Sequence, residues 1–508
     1  MATAIGRADM SAGRRAVIAV AVLAWALAGV SARGAELAPE WSVGQERVSP
    51  YDLQVIVPPT SPVTLSLGDA IQLALRQNAG FRQSVQALLS ARSNLLAAQQ
   101  RWALEAFGSV SRVSNDEQVD VTTAGATFAY AAVTGADFSV TAELDRLGDE
   151  DQRLWTASLR QPLIAGSWKA SASYEQVRQA RNAYRAALLS FFVARQALIE
   201  QVISSYFGAV EQKQLVAIQD ASVQLAQRAV QDAEVRLKER VISEIDLTRA
   251  QLRLSREQTA AVGQRQAQQD DMDQLLLLLG LSVGDMPELV TTVVYAPEAL
   301  DSSALTAEAL QWRPDLRLVD LSLEDRRAVV RIARSQQLPA LDLFADWSQL
   351  RNGLEEREWE VGLELSAPIL SRPLREATRQ AQWDLLVLEQ AKEQLRQQVI
   401  ADVRSQIRAA ESARANVGIA EQGVEVSNRS LVIAQRMVEE GLATNRDVLD
   451  AQDDIRRSES QLVTSKIGYY LALVRLRVAV GRDVMSALPE FAPAPQTPAA
   501  QPEGKPSS

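Results

Sequence analysis

Two stretches of the chain alternate strictly between apolar and polar positions. In "EWEVGLELSAPI", Trp359, Val361, Leu363, Leu365 and Ala367 fall on one face of an extended chain, and Glu358, Glu360, Gly362, Glu364 and Ser366 on the other. "ALDLFADW", ending on Trp347, reads as a second strand just upstream. Elsewhere the period is helical. Residues 305–337 predict a helix, 372–440 a very long one and 444–480 a shorter one.

The long helices carry packing stripes. In the segment 167–238, Val177, Tyr184, Phe191 and Leu198 step by seven, with Ala180, Ala187 and Ala194 three residues after the first three, so large knobs alternate with small holes. In 372–440, Leu388, Ala391, Leu395, Val399, Val403, Ile407 and Ala410 recur at a mean spacing of about 3.7, nearer the eleven-residue repeat that relaxes a left-handed supercoil. Each long segment is roughly 105 Å as a helix, about twice the length of the shorter ones.

The chain is one unit written twice. "RLKERVISEIDLTRAQLRLSREQ" (236–258) and "RMVEEGLATNRDVLDAQDDIRRSES" (436–460) superimpose at an offset of 201, which sets Asp246 on Asp447 and Gly280 on Gly481. "LRQPLIAGS" likewise answers "LSAPILSR", Pro162 on Pro368, so the first unit has its own strand region, with Trp155. The expected organisation is a signal peptide (1–32), a Pro-rich extended segment (33–64), a first repeat (65–280), a linker (281–304), a second repeat (305–481) and a disordered tail (482–508). Residues 115–150 have strand-like alternation without a counterpart in the second unit, and read equally as a surface loop or an extra hairpin.

Composition narrows the chemistry. No cysteine or histidine occurs in 508 residues, which removes thiol and imidazole catalysis and the usual ligands of zinc, haem and iron–sulfur clusters. The expectation is a protein that is not an enzyme and holds no cofactor or metal. A net charge of −10 without a basic face argues against nucleic acid. Arg14 and Arg15 precede an apolar run of about fifteen residues and the small residues of "SARGA", an export signal with cleavage expected after Ala32. No later run of eighteen apolar residues follows, so a membrane crossing would have to be a β-barrel. Two strands per unit make four per chain, fewer than the eight or so of the smallest single-chain barrels, so the strands must be pooled in an oligomer.

With these features in this order, from about Leu65 to Gly481, the sequence resembles the TolC-like outer-membrane efflux proteins. The resemblance rests on "LSLGDAIQLALRQN" opening the first unit, "WRPDLRLVDLSLEDRRAVVRIARSQQLPALDLFADW" opening the second, the proline after each second strand, "GLATNRDVLDAQ" and the closing "YYLALVRLRVAVG". It implies a mainly α fold with a small β part: two tandem repeats, long antiparallel coiled-coil helices and four strands per chain, building a homotrimer. The trimer's twelve-stranded barrel, set in outer-membrane lipid, would continue into a periplasmic helical tunnel. The implied partners are a periplasmic adaptor and an inner-membrane transporter of the RND or ABC type. Barrel-strand residues would include Trp155, Trp347, Trp359, Val361 and Leu363.

The tip turns carry the candidate sites. Gly441 suits a left-handed helix end, and Thr444 or Asn445 can cap the next helix. By resemblance Gly441, Leu442, Ala443 and Thr444, with Arg240 and Val241 of the first unit, form the adaptor-docking tip. Arg240 stands where the glycine would be, so the two tips are expected to dock unequally. Asp447 and Asp450 share a helix face and match inward-facing positions at the closed entrance, where a trimer would stack two rings of carboxylates with raised pKa values. A plain alternative is that both only favour the first turn of a helix. Where the family links an aspartate of the first tip, here Asp246, to a tyrosine and an arginine, this chain has Val438 and Ala443. Arg446 is the nearest replacement, and an Arg446–Asp246 pair is the expected lock. Function divides between an exit duct, for small toxic compounds or drugs or alternatively for secreted protein in a type I system, and a periplasmic coiled-coil spacer without a pore.

Overall fold

The computed structural model describes residues 64–485, apart from 101–104, 115–119, 133, 148–149, 241, 285, 292–294, 352–354, 370 and 441. The signal peptide and most of the Pro-rich segment and tail lie outside the described residues. Two compact units divide the chain: one includes Gln86–Leu189 and Leu318–Glu393, the other Ser190–Arg317 and the residues from Gln394 on.

The order of helix, helix, strands, long helix, helix occurs twice. First come β1 (Thr64–Leu65), α1 (Leu67–Gln77), α2 (Ala79–Gln100), four strands β2 (Glu105–Ser114), β3 (Asp120–Ala131), β4 (Asp137–Leu147) and β5 (Glu150–Pro162), then α3 (Ala172–Lys238) and α4 (Glu244–Leu279). After β6 (Glu288–Leu289) come α5 (Ser302–Trp312), α6 (Pro314–Ser335), β7 (Ala340–Arg351), β8 (Glu355–Ser366), α7 (Arg372–Glu439) and α8 (Asn445–Val480).

The helix expected over 305–337 is therefore two. Pro314 disfavours the helical conformation at the residue before it, and Arg313 sits at ψ 126 as the end of α5 while Pro314 opens α6. The equivalent break after α1 uses Asn78, whose Oδ1 accepts from Phe81 N–H and whose Nδ2 donates to Leu278 O. Both closing helices end on a left-handed glycine, Gly280 at φ 76 and Gly481 at φ 85.

The large sheet corrects the strand count. It has six strands in the order β2-β3-β4-β5-β7-β8, every neighbouring pair antiparallel, where four were expected. The 115–150 stretch resolves as a hairpin, β3 pairing with β4 around the turn at 132–136. β3 is rich in alanine, threonine and glycine, which soften the apolar-polar contrast that reveals β8.

In the second unit part of the predicted stripe is core: Val399, Val403, Ile407 and Ala410 of α7 are buried against Tyr469, Leu473, Leu476 and Val480 of α8, whereas Ala391 is exposed. On α3, Ile199, Val202, Ile203, Tyr206 and Phe207 are almost fully buried. That helix is apolar enough over part of its length to cross a membrane by composition, and 28% of that stretch is buried within the chain. Tyr206 ties the small parallel β1-β6 pair down, its hydroxyl donating to Leu65 O and accepting from Thr291 N–H. The tail is ordered for longer than expected: Val484 is fully buried, its N–H donates to Gln196 Oε1, and Gln196 Nε2 donates to Asp483.

Candidate functional site

Two features are the candidates for function, and each lies within one unit. The first is the sheet. Register puts Trp359 opposite Trp347, Val361 opposite Ala345, Leu363 opposite Leu343 and Leu365 opposite Leu341. The same face continues through Ala157 and Leu159 of β5, Phe138 and Val140 of β4 and Phe128 of β3. Leu365 and Trp359 on the edge strand β8 are 70% and 75% exposed, so apolar side chains there lie open on this face, while Leu159 of β5 is buried. Trp155, also exposed, lies on the same face opposite Gln349, next to the Trp347–Trp359 pair.

The opposite face is hydroxylic and acidic. Thr127 and Thr141 hydroxyls lie 3.0 Å apart, those of Ser139 and Ser158 2.7 Å, and Arg160 reaches Glu364 at 3.3 Å. Asp342 stands directly opposite Glu364, and Asp346 opposite Glu360. Like charges at directly opposed positions cost stability, a cost that falls when the face meets water and counterions. One face suited to hydrocarbon and one to water is the arrangement of a membrane barrel wall.

The second feature is the pair of helical tips. After α3, Arg240 takes φ +59, a conformation that favours glycine, and its N–H donates to Leu237 O. Val241 and Gly441 are outside the described residues. After α7, Leu442 N–H and Ala443 N–H both donate to Met437 O at 2.8 and 3.1 Å, folding the turn back on the last carbonyls of the helix. Leu442 is 70% exposed at the apex, with nothing of its own chain to cover it.

The next helices start on matched capping boxes. Thr444 N–H and Oγ1–H both donate to Asp447 Oδ2 at 2.8 Å; Ser243 N–H and Oγ–H donate to Asp246 Oδ2 at 3.2 and 2.8 Å. The Thr444 backbone N–H, then its hydroxyl, hold the Asp447 carboxyl below the usual aspartate range. Asp246 is lowered in the same way, first by the Ser243 hydroxyl and then by its N–H. Within one chain the capping donors favour the charged form of Asp447; the raised pKa values expected above concern carboxylates of neighbouring copies in a ring.

The expected Arg446–Asp246 pair is not formed within the chain. Arg446 Nε lies 3.6 Å from Asp450 Oδ2, one turn along its own helix, and Asp246 is engaged by Ser243 and, at 3.6 Å, by Arg249. Among the described residues, an ion pair about two turns in from the tips joins α4 to α8. Arg253 Nη2 on α4 donates to Asp453 Oδ1 on α8 at 2.7 Å. A signal was present in the Asp453–Asp454 run, but nothing in its spacing distinguished it from ordinary helix-surface acids.

Residues 305–482 match the family model described as outer membrane efflux protein. The alkaline protease secretion protein AprF of Pseudomonas aeruginosa is 26% identical over 349 residues, covering 66% of this chain and 70% of that protein. The pyoverdine export outer membrane protein OpmQ of Pseudomonas putida is 24% identical over 375 residues, covering 70% of this chain and 80% of that protein. Among solved structures, the outer membrane protein VceC of Vibrio cholerae superimposes with a TM-score of 0.63 at 17% identity, covering 82% of this chain and 96% of its own. The two-faced sheet and the doubled helical order thus occur in a chain whose residues 305–482 match the outer membrane efflux protein family, and which is similar over about two thirds of its length to a secretion protein and an outer membrane export protein.

Proposed function

We propose that three copies of this chain form a passive exit duct from periplasm to exterior, their pooled strands crossing the outer membrane and their helical tips facing the periplasm. The observation that carries this reading is the sheet, whose exposed apolar face has no use in water and whose acidic face has none in lipid. As an outer-membrane efflux or secretion channel the chain supplies no energy of its own. A periplasmic adaptor and an inner-membrane transporter of the RND or ABC type are the partners this role requires.

The docking surface is assigned to Gly441, Leu442, Ala443 and Thr444, with Arg240 and Val241 as its unequal counterpart. The entrance is assigned to Asp447, Asp450, Asp246 and Arg446, with Arg253 and Asp453 added as the link between tips. Export of small toxic compounds is the first reading; the resemblance to a protease secretion protein keeps protein export as the second. Reconstituted in liposomes at a verified insertion level, the protein should release an entrapped small solute. Solute-tight vesicles containing the inserted protein would instead fit a spacer without a pore.

A further inference from the structure

We infer that all six strands of each chain are wall strands, and that β8 of one copy pairs with β2 of the next, so that the trimer proposed above closes on eighteen strands rather than twelve. The additional strands have the properties of the others. β2, β3 and β4 are 10, 12 and 11 residues long. A tilted strand needs about 9–11 to cross a bilayer. Their faces are also sorted: Val110 of β2 pairs with Ala124, Ala126 with Ala142 and Phe128 with Val140, continuing the apolar face of Trp155 and Leu159. Ser109, Thr127, Thr141 and Ser139 continue the hydroxylic face.

The inserted hairpin is anchored. At its turn Ala132 N–H donates to Ala136 O and Gly135 N–H to Ala132 O, while Thr134 O accepts from Trp168 N–H beyond the end of β5. Gly135 sits at φ +86 with so little room that a Cβ would approach Gly166 O and the Ser171 Cβ at 3.0 Å. Thr134 Oγ1 also donates to Gln161. The hairpin is thereby fixed against the connection from β5 into α3, in line with the other strands.

Closure follows from the edges. β2 and β8 are the two ends of the sheet, and in an even-numbered antiparallel sheet they run in opposite directions. Left open in lipid, each would strand a row of N–H and C=O groups at several kcal/mol apiece. A second copy of this chain satisfies both edges with the same antiparallel pairing used at every internal seam, and a repeated head-to-tail contact of this kind closes into a ring. Because barrel diameter grows roughly linearly with strand number, an eighteen-stranded wall is about half as wide again as one of twelve.

The chain contains no cysteine, so introduced pairs report without background. Single cysteines at Phe107, Ser109 or Ser111 on β2 would be combined with Glu358, Glu360 or Glu364 on β8 in the full-length protein in membranes and oxidised. A control set places cysteine at Thr141 or Glu143 on β4 against the same β8 positions. Disulfides between copies from the β2–β8 set, ending in a covalent ring of three, are expected. Disulfides from the β4–β8 set would show that β2 and β3 lie outside a twelve-stranded wall. An intact trimer by native mass with no β2–β8 disulfide would also overturn the inference. Liposome release by the cysteine-free parent separates the two levels: a protein that releases solute but forms no such disulfide refutes the seam alone, and one that releases nothing refutes the duct.

Discussion

Arg253 and Asp453, about 200 residues apart in sequence, meet at 2.7 Å between α4 and α8 with their side chains only 17% and 29% exposed. Partial burial makes this pair stronger than a surface ion pair, and removing one partner leaves the other charge in a poorly solvated position. It ties the second helix of one tip to the second helix of the other. Arg253→Ala or Asp453→Ala should weaken that link by about 1–3 kcal/mol and raise the open probability of the entrance. The exchanged pair, Arg253→Asp with Asp453→Arg, should restore much of the closure, as read in single-channel records or a double-mutant cycle. Singles with wild-type gating would remove the pair from the gate.

The tip of α3 holds backbone strain. Arg240 at φ +59 adopts a left-handed conformation that costs an ordinary residue roughly 1–2 kcal/mol. Arg240→Gly should therefore raise the unfolding temperature, or increase hydrogen-exchange protection of the residues flanking the turn. Lower protection would mean that its side chain holds the turn in a way the backbone argument omits.

Leu442 separates docking from folding. It is exposed at the apex of the second tip and touches no core, so Leu442→Asp should leave assembly and unfolding temperature unchanged while abolishing export in cells. Export at the parental level would move the docking surface elsewhere.

Asp447 and Asp450, read together as two carboxylate rings, should behave differently. Asp447 is lowered in pKa by its Thr444 donors, so its capping contribution is fully present above the ordinary aspartate value and is lost only as pH falls through the depressed folded value. Hydrogen exchange at the start of α8 should stay protected at pH 5 and fray well into the acid range. Asp447→Ala should fray it at neutral pH. Asp450 is 67% exposed beside Arg446 and caps nothing in the described contacts, so Asp450→Asn should change block by multivalent cations without fraying α8. Fraying in both variants, or in neither, would contradict this division.

The glycines that end α4 and α8 make an internal comparison. Alanine at either must adopt positive φ, costing about 1 kcal/mol. At Gly280 the new Cβ would also meet Gln77 Cβ at 3.0 Å and Gln77 O at 3.2 Å, while at Gly481 the nearest atoms are at 3.3 Å. Gly280→Ala should be the more destabilising of the two in thermal unfolding.

Much of this architecture was legible in the sequence, for identifiable reasons. Long helices announce themselves through apolar stripes, and Val399, Val403, Ile407 and Ala410 are buried where their spacing places them. The capping boxes follow from Ser243–Asp246 and Thr444–Asp447 at matched positions. β8 was plain because Trp359, Val361, Leu363 and Leu365 alternate with glutamates. β3, "DVTTAGATFAYA", pairs just as completely but with residues too small to sharpen its period, so the strand count came out low. Pro314 signals the break at Arg313, but the apolar period runs across it and predicts one helix. The Arg253–Asp453 contact had no local signature, because a pair joining two different coiled coils depends on how they pack rather than on any spacing within either.

Conductance of the purified protein in a planar lipid bilayer shows whether this chain makes a water-filled passage through the outer membrane. On the polar face of the sheet Asp342 faces Glu364 and Asp346 faces Glu360, with Glu358 beyond them, a field that attracts cations. Discrete single-channel steps with a reversal potential favouring cations over anions in a salt gradient are expected, with longer openings in Asp453→Ala. Bilayers that stay electrically silent with the inserted protein, Asp453→Ala included, would contradict the account.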